Sequence, residues 1–346
     1  MERLVHGLHH ITLVASNYAV NFRFYTEVLG LRQVKLSVNQ DDVYHRHAFY
    51  ANPEKTTGSA ITFFEWPGLP HGTPGLGAPH HLAYRVKSVE SLGRWFKWLR
   101  SNGVKPAGPY VENGRVSVYF HDPDKVLLEL AAVDEGFDKQ YVDDVFKDAS
   151  APKAVEEDMR LLMFDHATPL TVSADVLKRF LEKFLGLTEF ENMQDAAGRT
   201  WLMVKHDGEA FLRYLVKPSA DYGYVGRGSI HHIAVAVESE DQQKTILRRL
   251  NMAYVRNSGV VDRFWFRSLY FRDPVGNLLE VATVGPGYDV DEPRETMGSR
   301  LVLPPWLEPV RKEIEARLAE QDAVNRQSWP PAYIDVPEPP EPTSQA

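Results

Sequence analysis

Four times along the chain a short apolar run opens with histidine: LHHITLVA (8–15), PHHLAYRV (79–86), FDHATPLTV (164–172) and IHHIAVAV (230–237). Each opening is followed by similar elements. SNYAVNFRFYTEVLGL (16–31) has apolar residues at helical spacing and ends at Gly30, a helix-terminating glycine. Three strand-like runs follow it: LRQVKLSVN, VYHRHAFYA and SAITFFEW. The second copy starts at His80 and His81, with a helix over 89–103. The third starts near Phe164, with a helix over 174–187, and the fourth at Ile230, with a helix over 240–251. Two turns also match, HDPDKVLLEL (121–130) and RDPVGNLLEV (272–281), where Asp-Pro and a polar pair precede a final strand. A repeat of this length constrains the fold more than any local propensity, because one such unit cannot bury its apolar face alone.

The pattern predicts an α+β protein of four βαβββ modules paired into two half-barrel domains. Modules are expected at about 8–66 and 79–134, grouped as 1–134, and at about 164–217 and 229–285, grouped as 161–288. Residues 135–160, acidic and Pro-containing, read as a linker. Residues 289–346 read as an appendage with a helix in 303–321 and a Pro-rich tail.

Composition narrows the partners and the chemistry. The 346 residues carry a net charge of −8 without a long basic block, so no nucleic-acid partner is expected. No apolar run approaches the roughly 18 residues that span a bilayer, and the first residues lack a signal-peptide pattern. The expectation is a cytoplasmic protein with no membrane partner; a homo-oligomer is left open. Cysteine is absent, so any metal must be held by nitrogen and oxygen.

Side chains alternate across a strand. His232 shares a face with Ala234 and Ala236, whereas His231 lies with Ile233, Val235 and Val237. In the other doublets His81 lies with Ala83, and His10 with Thr12 and Val14. The second histidine of each doublet is therefore the better cavity candidate. A single such histidine reads most simply as a satisfied strand residue, but the repetition argues for more. Two modules also place a glutamate inside an apolar final strand, Glu129 in LLELAA and Glu280 in LLEVAT. A carboxylate there is costly unless paired or bound to metal. Two histidines and a carboxylate form the facial triad of non-haem Fe(II) oxygen chemistry, although the ligand types also suit zinc or manganese.

These stretches resemble the vicinal oxygen chelate superfamily, whose members include glyoxalase I, extradiol ring-cleaving dioxygenases and fosfomycin-resistance proteins. GLHHITLVA, VNQDDVYHRHAFYA, GSAITFFEWPG, SIHHIAVAV, DRFWFRSLYFRDPVGNLLEVATVGPGY and LPPWLEPVRKEIEARL resemble its hydroquinone ring-cleaving branch, the 2,6-dichlorohydroquinone 1,2-dioxygenase-like enzymes. The resemblance runs from residue 7 to about 318. It implies a metal, Fe(II) with Mn(II) as an alternative, held by His10, His232 and Glu280. His9, Thr12, His231, Arg263 and Tyr270 would surround it as catalytic residues. The implied partners are a small aromatic diol and O₂.

Other assignments stay open at this point. Ordinary extradiol enzymes would imply His166, His232 and Glu280, and a site could also form from His81, Glu129 and His166. One metal suffices for ring cleavage, so this last set is expected to be catalytically silent. A glyoxalase-type lyase or isomerase and a drug- or aromatic-binding protein are the alternative functions. Pro169 departs from the strand pattern of the third module.

Overall fold

The computed structural model describes residues 3–112, 114–133 and 136–336. The first module comprises β1 (Leu8–Ala15), α1 (Tyr18–Arg23), β2 (Arg32–Asn39), β3 (Asp42–Ala51) and β4 (Ala60–Glu65). The second comprises β5 (His81–Arg85), α2 (Val89–Ser101), β6 (Ala107–Glu112), β7 (Arg115–His121) and β8 (Leu127–Val133). After α3 (Lys139–Asp148) comes the third: β9 (Phe164–Thr168), β10 (Leu170–Thr171), α4 (Ala174–Leu185), β11 (Glu189–Gln194), β12 (Thr200–His206) and β13 (Glu209–Val216). The fourth contains β14 (Ile230–Val237), α5 (Glu240–Met252), β15 (Asn257–Asp262), β16 (Phe266–Arg272) and β17 (Leu278–Pro286), and α6 (Arg311–Val324) follows. Each module helix starts at a side-chain cap, Asn17, Ser88, Ser173 or Ser239, whose oxygen accepts a backbone N–H of the first turn.

The four βαβββ modules form two curled half-barrel sheets with helices on their outer faces. One sheet runs β15-β16-β17-β14-β1-β4-β3-β2, and the other β11-β12-β13-β9-β5-β8-β7-β6. The first and fourth modules therefore share one sheet, and the second and third share the other. This differs from the grouping by sequential halves. The reason is that β1 pairs antiparallel with β14, and β5 with β9, at the sheet centres. The helix-facing residues Ile11, Leu13, Ile233, Val235, Leu279 and Val281 are fully buried in the main core.

One local reading changes, and two strand details are added. The segment read as a linker contains α3, whose Val142 and Phe146 are buried four residues apart among acidic neighbours. Edge strand β15, partly exposed, has no apolar alternation to reveal it. Pro169, which has no N–H to donate, separates β9 from β10. The segment after residue 288 is built into the first module. Fully buried Lys35 pairs with Asp291 (2.7 Å) and Glu292 (2.5 Å), and Arg46 with Asp322 of α6 (2.6 Å). Helix α6 begins at Arg311, beyond Pro304 and Pro305. The last ten residues of the Pro-rich tail, 337–346, and Asp134 at the end of the second module lie outside the described residues.

The chain crosses between sheets next to Gly228, which has φ +73° and lies so close to the Asp124 carbonyl that an added Cβ would sit 1.8 Å from its oxygen. Gly228→Ala is expected to cost at least about 2 kcal/mol, combining left-handed strain with a backbone clash. Urea unfolding measures this, and an unchanged midpoint would show that the crossing relaxes freely.

Candidate metal centre

The registers of the first sheet fix which side chains share its concave face. Ala234 lies opposite His10 on β1 and opposite Glu280 on β17, His232 lies opposite Thr12, and Tyr270 lies opposite Glu280. Because the side-chain period is two, His10, Thr12, His232, Glu280, Ser268 and Tyr270 all point to this face. Ala234 is small enough to leave the space between His10 and Glu280 open.

Glu280 Oε2 lies 3.2 Å from His10 Nε2 and 2.9 Å from His232 Nε2, and the two nitrogens are 3.3 Å apart. All three side chains are buried. The carboxylate oxygen nevertheless accepts no hydrogen bond of acceptable geometry. Three donors converging on a point that no protein hydrogen fills suit a cation. Bonds near 2.1 Å place neighbouring donors about 3.0 Å apart in an octahedral shell and about 3.4 Å apart in a tetrahedral one, matching the observed spacings. Burial raises the Glu280 carboxyl, but the neighbouring His10 and His232 imidazoles outweigh it and hold the group well below the usual carboxylate range. Ser268 Oγ donates to Glu280 Oε1 at 2.5 Å, leaving Oε2 for the centre.

The first histidines of the doublets support the second ones. His9 Nδ1 is 2.9 Å from His10 Nδ1, and His231 Nδ1 is 2.8 Å from His232 Nδ1. A ligating Nε2 needs its proton on Nδ1, so His9 and His231 would be the acceptors that orient the rings. Burial, then the adjacent imidazole, pushes both supporting histidines down to about 3, keeping them neutral as acceptors.

The centre opens onto a cavity of about 360 Å³ lined by His47, Phe49, Phe64, Trp66, Trp265 and Tyr270, among others. His231 and Arg263 line it too. Arg263 pairs with the exposed Asp41 (2.7 Å), and its guanidinium carbon lies 5.4 Å from the Tyr270 ring centre. Burial, then Glu280, raises the Tyr270 hydroxyl, so it stays protonated. His9 and Thr12 do not line this cavity. His9 borders a separate one of about 220 Å³ behind the triad. Thr12 connects inward through Thr62 (2.8 Å), which bonds His47 Nε2 (2.8 Å).

His47 is the site residue that the sequence reading missed. Its signal was the alternation His45, His47, Phe49 in β3, which becomes informative only once that face is known to look inward. Burial, then His10 and His232, lowers its pKa well below the ordinary value. His166 lies in the other sheet, grouped with His81 and Glu129, so the mixed set His166, His232 and Glu280 is not assembled.

With this geometry in view, a family model described as the Glyoxalase/Bleomycin resistance protein/Dioxygenase superfamily matches residues 7–130 and 164–281. The chain belongs to this superfamily. It is 33% identical over 319 residues to the Bacillus subtilis protein called "Putative ring-cleaving dioxygenase MhqA", covering 91% of this chain and 98% of that one. It is 25% identical over 318 residues to the chlorohydroquinone/hydroquinone 1,2-dioxygenase of Sphingobium indicum, covering 90% and 95%. The crystal structure of a B. subtilis protein called "putative dioxygenase" superposes with a TM-score of 0.78 at 30% identity, over 92% of this chain and 97% of that one. Glyoxalase I from Zea mays, 15% identical with a TM-score of 0.58 over 80% and 92%, shares the fold. Among the described residues no helix is long and apolar enough to cross a membrane.

His10→Ala, His232→Ala and Glu280→Gln should each lose one equivalent of bound divalent metal per chain while keeping the native circular dichroism. Ser268→Ala, which frees Glu280 Oε1, should weaken that metal roughly 10- to 100-fold. Metal analysis after dialysis reads both effects. Full occupancy in Glu280→Gln would remove this triad as a metal centre.

Proposed function

We propose that the protein is an Fe(II)-dependent dioxygenase that cleaves the ring of a hydroquinone- or catechol-like diol. The observation that carries this reading is the triad itself: two histidines and one carboxylate, with their free side turned to an aromatic-walled cavity. The names of the relatives, ring-cleaving and hydroquinone dioxygenases, support the same class of substrate. Bound Fe(II) would supply Lewis acidity toward the diol and redox chemistry with O₂. Overall, diol and O₂ give a ring-opened product that keeps both oxygen atoms.

The chain's own residues have separable tasks in this reading. His10, His232 and Glu280 hold the metal, and His9, His231 and Ser268 fix their orientation. Phe64, Trp66 and Trp265 present faces and edges for the ring and keep water from the reacting atoms. The Arg263 guanidinium attracts a phenolate oxygen entering the cavity. His47, neutral and turned to the cavity, accepts or returns the hydroxyl proton, with Thr62 and Thr12 behind it. Tyr270, protonated, donates a hydrogen bond to an oxygen of the bound diol.

Oxygen uptake by protein loaded anaerobically with Fe(II), tested on hydroquinones and catechols, should match the diol consumed one for one. Turnover of an added substrate without O₂, supported by nickel or zinc, would point instead to a lyase or isomerase. Tyr270→Phe should lower kcat on the order of 100-fold, with metal content and melting temperature unchanged. Unchanged turnover would leave Tyr270 as part of the cavity wall.

A further inference from the structure

The second sheet repeats the donor set, although here Glu129 Oε2 is hydrogen-bonded to His81 Nε2, which also lies 3.3 Å from Thr168 Oγ1. Glu129 Oε2 lies 3.2 Å from His81 Nε2 and 3.5 Å from His166 Nε2, and all three residues are buried. Ala83 lies opposite both His166 and Glu129, as Ala234 lies opposite His10 and Glu280. Ser117 Oγ donates to Glu129 Oε1 at 2.6 Å, matching Ser268 on Glu280. Tyr119 pairs in register with Glu129 as Tyr270 does with Glu280. Thr168 stands two residues after His166, as Thr12 follows His10. The two carboxylate–imidazole spacings lie close to the spacing of about 3.4 Å in a tetrahedral shell with bonds near 2.1 Å. The ring support is stronger than in the first sheet, because His166 Nδ1 faces the Asp165 carboxylate at 2.6 Å. A carboxylate behind a histidine fixes its tautomer and strengthens its outward nitrogen as a ligand.

Two features set this copy apart. Its cavity is about 60 Å³ instead of about 360 Å³. A water needs roughly 10–15 Å³ by this measure, so the space suits a few water-sized groups and excludes a substituted aromatic ring. It is also lined by arginines. Arg115 bonds Asp165 (2.5 Å) and approaches Glu129 Oε1 (3.4 Å). Arg213 lines the same cavity, its Nε is buried without a hydrogen bond, and no carboxylate among the described residues pairs with it. Around this niche four carboxylates, Glu112, Glu129, Asp165 and Asp195, face four guanidiniums, Arg85, Arg115, Arg199 and Arg213, so the charges already balance. A divalent cation added to the triad would leave two positive charges uncompensated in a buried place, which is costly. An anion entering with the cation removes that cost.

We propose that His81, Glu129 and His166 hold a second divalent cation, and that this ion and Arg213 together take a small oxyanion of carboxylate size. This is one ion more than the sequence reading expects. The site does not share the diol cavity and does not depend on what the first centre catalyses.

The test uses the full chain, stripped with chelator and titrated with Mn²⁺ in the presence and absence of acetate, with free Mn²⁺ read by electron paramagnetic resonance. With acetate, the wild type should bind two ions per chain. His10→Ala should lose one and keep the other, and Glu129→Gln should do the same. Removing acetate should cost the wild type one ion at limiting Mn²⁺, the one that Glu129→Gln has already lost, and Arg213→Met should abolish that dependence. His81→Asn, checked by circular dichroism, serves if Glu129→Gln fails to fold. The proposal is overturned if neither Glu129→Gln nor His81→Asn, once shown to fold, removes an ion, whether the wild type with acetate binds one ion per chain or two. Two ions with no acetate dependence would overturn its oxyanion half. None of these outcomes depends on oxygen uptake, so the ring-cleavage reading can fail separately.

Discussion

Backbone pairing between β1 and β14 is the interaction on which the candidate centre depends. It joins strands 222 residues apart, taking His10 to His232. The parallel ladder from β14 to β17 then brings Glu280 across from Ala234. Each donor comes from a different strand, and the ladders hold all three without a flexible loop. A slip of one residue in any ladder would turn a ligand into the helix-packed core. The same ladders are buried on one side by Ile11, Ile233 and Leu279, so register and core packing reinforce each other.

The centre is electrostatically demanding. A fully buried carboxylate beside two imidazoles, themselves backed by neutral imidazoles, is poorly solvated. Such a group persists where a cation or dense hydrogen bonding offsets desolvation. Ser268 offsets part of it at Oε1, and Oε2 is left facing the two nitrogens. Arg263, paired with the exposed Asp41, stands at the cavity wall and not on the carboxylate.

The module repeat places the same donors at the same registers in the second sheet. The two sheets differ in what surrounds those donors. Aromatic residues such as Phe49, Phe64 and Trp66 line the first cavity, whereas Arg115, Arg199 and Arg213 enter the second. His9 behind His10 becomes Asp165 behind His166. Similar triads therefore face different surroundings: a broad aromatic-walled slot in one sheet and a small charged niche in the other.

The repeat, the module helices and the alternation that puts His10 and His232 on the small-residue faces of their strands were legible in the sequence, because strand and helix periods are local properties of the chain. Their caps and Gly-ended turns are local as well. The pairing of modules was not legible, since backbone hydrogen bonds carry no residue label and β1 could meet β5 or β14 with equal local logic. Nor could the sequence separate His10 from His166 as the partner of His232; only the sheet order does. Helix α3 was hidden because two buried residues among many charged ones make a weak pattern. His47 was hidden because its strand lies three positions from β14, and curling of the sheet brings it to the cavity. Local order followed from the amino-acid pattern, while the tertiary structure decided which of the repeated histidines share a centre, because that depends on contacts between residues hundreds of positions apart.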